Sequence, residues 1–184
     1  MRVKLLAIAA SFRADSLNKR LMDLAAAEAT ARGAEVEVFD YAHANLPLYR
    51  EEEGGALPEG AELLRQSIAR AHGVMLAMPE YNWSIPGALK NLIDWLSVAP
   101  APVFEGKPML LLSASPSARG GVVGLTQLRT PLEVLGAFVY PQLVAIGKAD
   151  TLITPQGISA AKEAKFLATC VADFIRRTEQ LCSG

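Results

Sequence analysis

The stretch that decides the fold is residues 3–9 (VKLLAIA), followed by the polar loop 10–18 (ASFRADSLN). The first seven residues form an almost continuous apolar run, which is typical of a strand covered on both faces. Ser16 then has the residue type and position of an N-cap for a helix over 16–32, and Gly33 ends that helix. A buried strand, a polar loop and a helix are the first unit of an α/β fold.

The same unit repeats along the chain. Alternating or apolar runs predict further strands at 35–39, 73–78, 107–113 and 137–140, and helical patterns predict helices at 59–71, 86–97, 122–135 and 158–181. Residues 41–58 are expected to form a long loop, and residues 141–156 read as irregular. Strands alternating with helices favour a parallel sheet with helices on both faces, and we expect one domain over residues 1–184.

Composition and charge narrow the functional classes. The chain is 51% hydrophobic with a net charge of −1, so nothing in its charge favours binding to nucleic acid or to an anionic membrane surface. The first apolar run is too short for a membrane span or a signal peptide, so the cytoplasm is the expected location. Cys170 and Cys182 fall on one predicted helix about 18 Å apart, too far for a disulfide.

Polar loops follow the first, third and fourth predicted strands, where a parallel sheet binds its ligands. In the first loop, Ser11, Arg13, Ser16 and Asn18 surround a helix N-terminus, which favours a dianionic phosphate. The alternative is that Ser16 only caps the helix and Arg13 is solvated. The loop has neither the glycine-rich dinucleotide fingerprint nor the Gly-Lys-Ser/Thr of an NTPase loop.

The loop after the third strand, residues 79–87 (PEYNWSIPG), combines two prolines with two aromatic residues. Tyr81 and Trp83 suit the walls of a flat ring such as isoalloxazine, and Asn82 with main-chain groups suits its hydrogen-bonding edge. Trp83 could instead pack into the core or an interface. The loop after the fourth strand, residues 113–121 (SASPSARGG), has paired glycines that permit positive φ and a close backbone approach to a ligand.

Together these loops resemble the NADPH-dependent FMN reductase family, and within it the soluble quinone and chromate reductases. The resemblance is carried by SFRADSLN (11–18), PEYNWSIPGALKNLIDWL (79–96) and SASPSARGG (113–121). It implies a flavodoxin-like three-layer α/β/α sandwich, a five-stranded parallel sheet of order 2-1-3-4-5, non-covalent FMN, and a homodimer or homotetramer. The FMN-binding residues it implies are Ser11, Arg13, Ser16, Asn18, Pro79, Glu80, Tyr81, Asn82, Ser84, Ser113, Ser115 and Gly120. The loop residues themselves add Trp83 as a wall of the ring and Gly121 as the second of the paired glycines.

Three positions depart from the family pattern. Ala10 stands where a glycine usually precedes the first serine, and Trp83 replaces a smaller ring or a polar residue. Val123 stands where close relatives have an arginine, which puts their tetramer contacts in doubt for this chain.

The resemblance implies an NAD(P)H-dependent oxidoreductase that reduces quinones, flavins, azo compounds or metal oxyanions by ping-pong hydride transfer. The flavin carries the chemistry, so no catalytic side chain and no metal is assigned. Arg50 is a candidate for the NADPH phosphate. The alternatives are a flavodoxin-type electron carrier and a flavin-dependent sensor without NAD(P)H turnover. The sequence leaves open the physiological acceptor, the choice between NADH and NADPH, dimer against tetramer, and the role of residues 41–58.

Overall fold

The apolar runs become strands of one parallel sheet in the computed structural model, which describes residues 2–51 and 56–182. The central strands, β3 and β4, are buried at every position, as expected for strands covered on both faces. The predicted order is confirmed, because the sheet runs β2-β1-β3-β4-β5, with β6 also pairing with β4. The strands are β1 (Lys4–Ala9), β2 (Glu35–Phe39), β3 (Gly73–Ala77), β4 (Pro108–Ala114), β5 (Phe138–Val139) and β6 (Val144–Ile146).

Helices cover both faces of this sheet and complete the three layers. Their bounds are α1 (Leu17–Ala31), α2 (Glu59–Arg70), α3 (Gly87–Ser97), α4 (Val122–Val134), α5 (Ala149–Leu152) and α6 (Ala161–Cys182). One apolar cluster joins the sheet to α1 and α6, and the other joins it to α2, α3 and α4. Because neighbouring side chains on a strand point to opposite faces, Leu5 belongs to the first cluster and Leu6 to the second.

The end of the sheet differs from the prediction. The fifth strand is split, since β5 pairs with the start of β4 and β6 pairs with its end. Pro141 lies in the break, where its missing N–H cannot donate to the neighbouring strand. The expectation of irregular structure over 141–156 was therefore wrong for residues 144–146, and also for residues 149–152, which form α5, and 153–154, which form a short strand.

The final helix also starts later than predicted. Ile158 belongs to a small antiparallel hairpin of β7 (Ile153–Thr154) and β8 (Gly157–Ile158), and α6 begins at Ala161. Of its two cysteines, Cys170 is buried and Cys182 is exposed, and both are free thiols. Across residues 2–51 and 56–182, no helix combines the length and the apolar character needed to cross a bilayer.

A single buried side chain ties the start of α1 to the end of β4. Asn18 Oδ1 accepts a hydrogen bond from the Ala114 N–H at 2.9 Å, and Asn18 Nδ2 donates to the Ala114 carbonyl at 3.1 Å. Ser16, the N-cap of α1, accepts the backbone N–H of Asn18 at 3.2 Å. The first and third polar loops are thereby held at a fixed separation.

We expect Asn18→Ala to lower the free energy of unfolding by about 2–4 kcal/mol, because it leaves two buried backbone groups without partners. Urea unfolding of the FMN-free protein measures this loss. Asp23→Ala, an exposed substitution on the same helix, is the control and should change stability by no more than about 0.5 kcal/mol. Equal effects of the two substitutions would show that the Asn18 bridge contributes little.

Candidate functional site

The three polar loops meet at the carboxyl edge of the sheet, where they surround two adjoining cavities. The first has a volume of about 400 Å³ and the second about 580 Å³, and both are lined by Glu80 and Ser115. The predicted residues that line the first cavity are Ser11, Arg13, Ser16, Asn18, Pro79, Glu80, Tyr81 and Ser115. Those that line the second are Glu80, Asn82, Trp83 and Ser115. Ser84, Ser113, Gly120 and Gly121 line neither cavity and lie behind these walls.

The first cavity opens onto the N-terminus of α1. The first-turn N–H groups of a helix have no intrahelical acceptor and carry partial positive charge. Ser11 and Ser16 are both buried beside them, and Ser11 Oγ accepts the N–H of Arg13 at 3.4 Å. This end of the cleft therefore offers hydroxyls, backbone donors and a guanidinium to an anion.

Arg13 already has an anionic neighbour. Its Nε and Nη2 atoms donate to both carboxylate oxygens of Asp15 at 3.0–3.2 Å. These hydrogen bonds raise the pKa of Arg13 and hold the pKa of Asp15 below its usual range, and the opposite charges add to both shifts. Both side chains are about two-thirds exposed, so a phosphate that binds Arg13 competes with Asp15.

The second loop contains a tight turn at Tyr81–Ser84. The N–H of each of these two residues donates to the carbonyl of the other, at 3.1 and 3.0 Å. Asn82 and Trp83 between them have φ values of 50° and 64°, and this left-handed conformation costs about 1–2 kcal/mol for each residue with a side chain. Such a two-residue turn needs positive φ at both central positions.

Helix α4 holds this strained turn in place. Gln127 Nε2 donates to the Trp83 carbonyl at 2.8 Å, and Ser84 Oγ donates to Gln127 Oε1 at 2.6 Å. The Glu80 carboxylate accepts the N–H of Gly124, in the first turn of α4, at 2.6 Å. The indole of Trp83 is 55% exposed, so it belongs to the wall of the cleft and not to the core.

The third loop is packed against the protein itself. Gly120 and Gly121 have φ values of 64° and 85°, which confirms the predicted positive φ. A Cβ on Gly121 would lie 2.2 Å from Ser113 Oγ, and one on Gly120 would lie 2.6 Å from the carbonyl carbon of Ile146. Glycine is required at these two positions because the backbone here lies close to Ser113 and to β6. Ser113 Oγ is fully buried and has no hydrogen-bond partner among the described residues.

Sequence reasoning missed four charged residues that line the cavities, namely Asp15, Arg20, Arg119 and Asp150. Arg20 lies four residues after Ser16 and therefore on the same face of α1, a signal that could have revealed it. Asp150 comes just after β6, and the apolar run of that short strand was the missed signal. Arg119 stood within the loop 113–121, without a role assigned to it.

The 41–58 segment begins beside the cleft. Tyr41 is buried, and its ring lies 5.0 Å from that of Phe12 in the first loop. Burial raises the pKa of the Tyr41 phenol, and the nearby Tyr81 adds to the shift. Residues 52–55 lie outside the described residues. Arg50 lines neither cavity, so its predicted contact with the NADPH phosphate stays a prediction.

Comparison with known proteins identifies the family. The sequence model of the NADPH-dependent FMN reductases matches residues 3–151 of this chain. The chain belongs to the NADPH-dependent FMN reductase family. It is accordingly an oxidoreductase that uses FMN as its cofactor.

Several proteins of known name are similar to this chain in sequence or in structure. A 2-hydroxy-1,4-benzoquinone reductase from Burkholderia sp is 33% identical over 155 residues, which is 83% of this chain and 79% of the relative. A quinone reductase from Escherichia coli (strain K12) is 43% identical over 119 residues, covering 61% of this chain and 62% of the relative. FerB, a flavoenzyme NAD(P)H:(acceptor) oxidoreductase from Paracoccus denitrificans, superposes with a TM-score of 0.82 at 28% identity over 98% of each chain.

The fold is also that of flavodoxins. Flavodoxin 1 from Bacillus cereus superposes with a TM-score of 0.63 at 19% identity, over 94% of this chain and 97% of the flavodoxin. This likeness concerns the fold alone.

The residues of the cleft suit FMN. An anion site at α1 and a second cavity with exposed aromatic surface lie side by side, which matches a molecule with a phosphate at one end and a flat ring at the other. Ser113 Oγ, buried behind the cleft without a partner, is available for a further hydrogen bond, and buried hydroxyls normally have one.

We expect Arg13→Ala to weaken FMN binding about tenfold, because charge-assisted hydrogen bonds to a phosphate are lost. Asp15→Asn should strengthen FMN binding about twofold to threefold, because it removes a weak surface competitor for the guanidinium. Fluorescence titration of the FMN-free protein measures both constants. Weaker binding by Asp15→Asn would mean that Asp15 orients Arg13 and does not compete with the phosphate.

Proposed function

We propose that this FMN reductase transfers hydride from NAD(P)H, by way of FMN, to a quinone or another small oxidant in a ping-pong cycle. The observation that carries the proposal is the arrangement of the cleft. A polar phosphate end, lined by Tyr81, adjoins a ring end lined by Trp83, and both aromatic side chains are more than half exposed. Such an open ring end admits a second planar molecule, and the two substrates would use it in turn.

We propose roles for the residues according to their position in the cleft. The phosphate would be held by Ser11, Arg13 and Ser16, with Arg20 adding positive charge. Asn18 would act chiefly by positioning the loops, since its amide already bonds to both backbone groups of Ala114. The ribityl chain and ring would contact Pro79, Glu80, Tyr81, Asn82, Trp83 and Ser115. Four predicted residues that line neither cavity would instead shape the far wall, namely Ser84, Ser113, Gly120 and Gly121.

FMN, when bound, supplies the hydride chemistry, and the protein has to orient and screen it. The overall reaction balances as NAD(P)H, quinone and one proton giving NAD(P)⁺ and hydroquinone. Neither histidine lines the two cavities; His72 Nδ1 instead accepts the backbone N–H of Lys4 at 3.0 Å. We propose that water, which reaches the open ring cavity, supplies the proton.

The acceptor class follows from the shape of the ring end and from the relatives. Two relatives are quinone reductases, and an NADPH azoreductase from Bacillus sp. (strain OY1-2) is 35% identical over 61% of this chain. Quinones, azo compounds and flavins are flat and conjugated, and an exposed indole favours stacking with such molecules. Metal oxyanions are further proposed acceptors, since they are small and need not stack on the indole.

The segment after β2 would form the outer rim of this pocket. Trp95 Nε1 donates to the Pro47 carbonyl at 2.8 Å, and Asn91 Oδ1 accepts the N–H of Tyr49 at 2.8 Å. The rings of Tyr49 and Trp95 meet edge to face at 5.2 Å. Helix α3 thus anchors residues 47–49, and we propose that the described part of this segment and a second copy of the chain complete the pocket.

We expect NADPH or NADH, added without oxygen to the FMN-loaded protein, to bleach the visible flavin absorbance before any acceptor is present. Subsequent addition of a quinone should restore it. Steady-state double-reciprocal plots at several quinone concentrations should then give parallel lines, because the nicotinamide leaves before the acceptor binds.

Two outcomes would contradict the proposal. Intersecting lines would show that both substrates bind together. Flavin that stays oxidised with either nucleotide, but accepts electrons from a separate reductase, would show a flavodoxin-type carrier.

A further inference from the structure

We propose that Arg119, stacked on Trp83, makes the acceptor pocket selective for planar anions, in particular ionised 2-hydroxy-1,4-quinones. This inference rests on the proposed quinone reductase function and names the acceptor class that the pocket prefers. Both residues line the second cavity. Neither the family resemblance nor the predicted site assigned a role to Arg119.

The first observation is the stack itself. The guanidinium carbon of Arg119 lies 4.5 Å from the ring centroid of Trp83, within the range of a cation–π contact, for which an indole is the best partner. A guanidinium lying over a ring uses its flat face and leaves its N–H edge free to bind an oxyanion.

The second observation is that this cation is uncompensated. Within residues 2–51 and 56–182, the structure shows no carboxylate paired with Arg119 and no hydrogen bond from its guanidinium. Glu80, the acidic residue lining the same cavity, bonds to the Gly124 N–H and not to Arg119, although it keeps its negative charge. The hydroxyls of Ser115 and Ser117 bond to one another at 3.2 Å. An anionic ligand would therefore meet a free positive charge.

Both partners of the stack are held in place by their backbones. Trp83 is fixed in its left-handed turn through Gln127. On the other side, the Ser117 carbonyl accepts the N–H of Lys148 at 3.1 Å. A Cβ on Gly147 would lie 2.3 Å from the Ala118 carbonyl oxygen, so the backbone of residues 117 and 118, just before Arg119, packs closely against the segment after β6. The guanidinium is thus presented from a rigid loop.

The chemistry of the ligand follows from this geometry. An ionised 2-hydroxy-1,4-quinone carries its negative oxygen next to a carbonyl oxygen, and two adjacent oxygens match the paired N–H groups of a guanidinium. The flat ring of the quinone can also stack on another planar group, as the indole of Trp83 stacks on the guanidinium of Arg119. Reduction needs two electrons and two protons, supplied as one hydride from NAD(P)H and one proton from water. The redox step is the one already proposed, and Arg119 changes only which acceptor is bound well.

The test compares two acceptors of similar size, 2-hydroxy-1,4-naphthoquinone, which is an anion at neutral pH, and 2-methyl-1,4-naphthoquinone, which is neutral. The readout is the ratio of their kcat/KM values at saturating NADPH, so that differences in reduction potential cancel between variants. We expect Arg119→Gln to lower this anion-to-neutral ratio about tenfold. Arg119→Lys should recover part of the ratio, because it keeps the charge but loses the paired donors.

Lys165→Gln is the matched control. It removes the same charge from an exposed position on α6, away from the cleft, and should leave the ratio and the activity unchanged. A tenfold fall in Arg119→Gln alone supports the proposal. An equal loss for both quinones would overturn it, as would a fall only in the preference for NADPH over NADH, which would assign Arg119 to the 2′-phosphate.

Equilibrium dialysis keeps this inference separate from the proposed function. The dissociation constant of 2-hydroxy-1,4-naphthoquinone is measured with oxidised, FMN-loaded protein, where no turnover is needed. If the wild type reduces neither quinone, the proposed function fails, while weaker binding by Arg119→Gln still supports the anion site. If the wild type reduces both quinones and Arg119→Gln binds the anion equally well, only the present inference fails.

Discussion

A parallel sheet buried on both faces imposes the geometry on which the rest of this structure depends. Each strand must be followed by a crossover to the next, so the loops that leave β1, β3 and β4 all emerge at one edge. Backbone N–H and carbonyl groups at that edge still need hydrogen-bond partners. The Asn18 side chain of α1 supplies them for Ala114 at the end of β4, and so joins two elements far apart in sequence. The cleft exists because this bridge sets the distance between the phosphate end and the third loop.

Much of this arrangement could be predicted from local pattern. Apolar runs located the central strands, Ser16 marked the start of α1, and the polar loops marked the cleft, because each signal depends on neighbouring residues only. The split of the fifth strand could not be predicted in this way, since β6 is three residues long and is defined by its partner β4. Arg20 lines the first cavity because it shares a face of α1 with Ser16. Asp150 lines it because the chain after β6 returns to the cleft in the folded structure.

The paired glycines show the difference between a correct pattern and its physical reason. Their positive φ followed from residue type, but the need for them comes from Ser113 and Ile146, which lie against the positions where Cβ atoms would stand. Trp83 is the converse case. A bulky aromatic residue at positive φ goes against local preference, and α4 compensates by bonding to Trp83 and Ser84 within the turn and to Glu80 just before it. Local rules are broken where the cleft needs a rigid wall, as is common at functional sites.

The interruption at Pro141 has a consequence for solubility. An unpaired strand edge can recruit another chain, and long flat edges promote aggregation. Here the outer edge beside β4 is divided into β5, of two residues, and β6, of three, with a proline in the gap. The opposite edge is β2, whose EVEVF sequence places Glu35 and Glu37 along it. Both edges of the sheet therefore discourage strand pairing between molecules. The β5–β6 edge does so because its strands are short and interrupted, and the β2 edge because it carries glutamates.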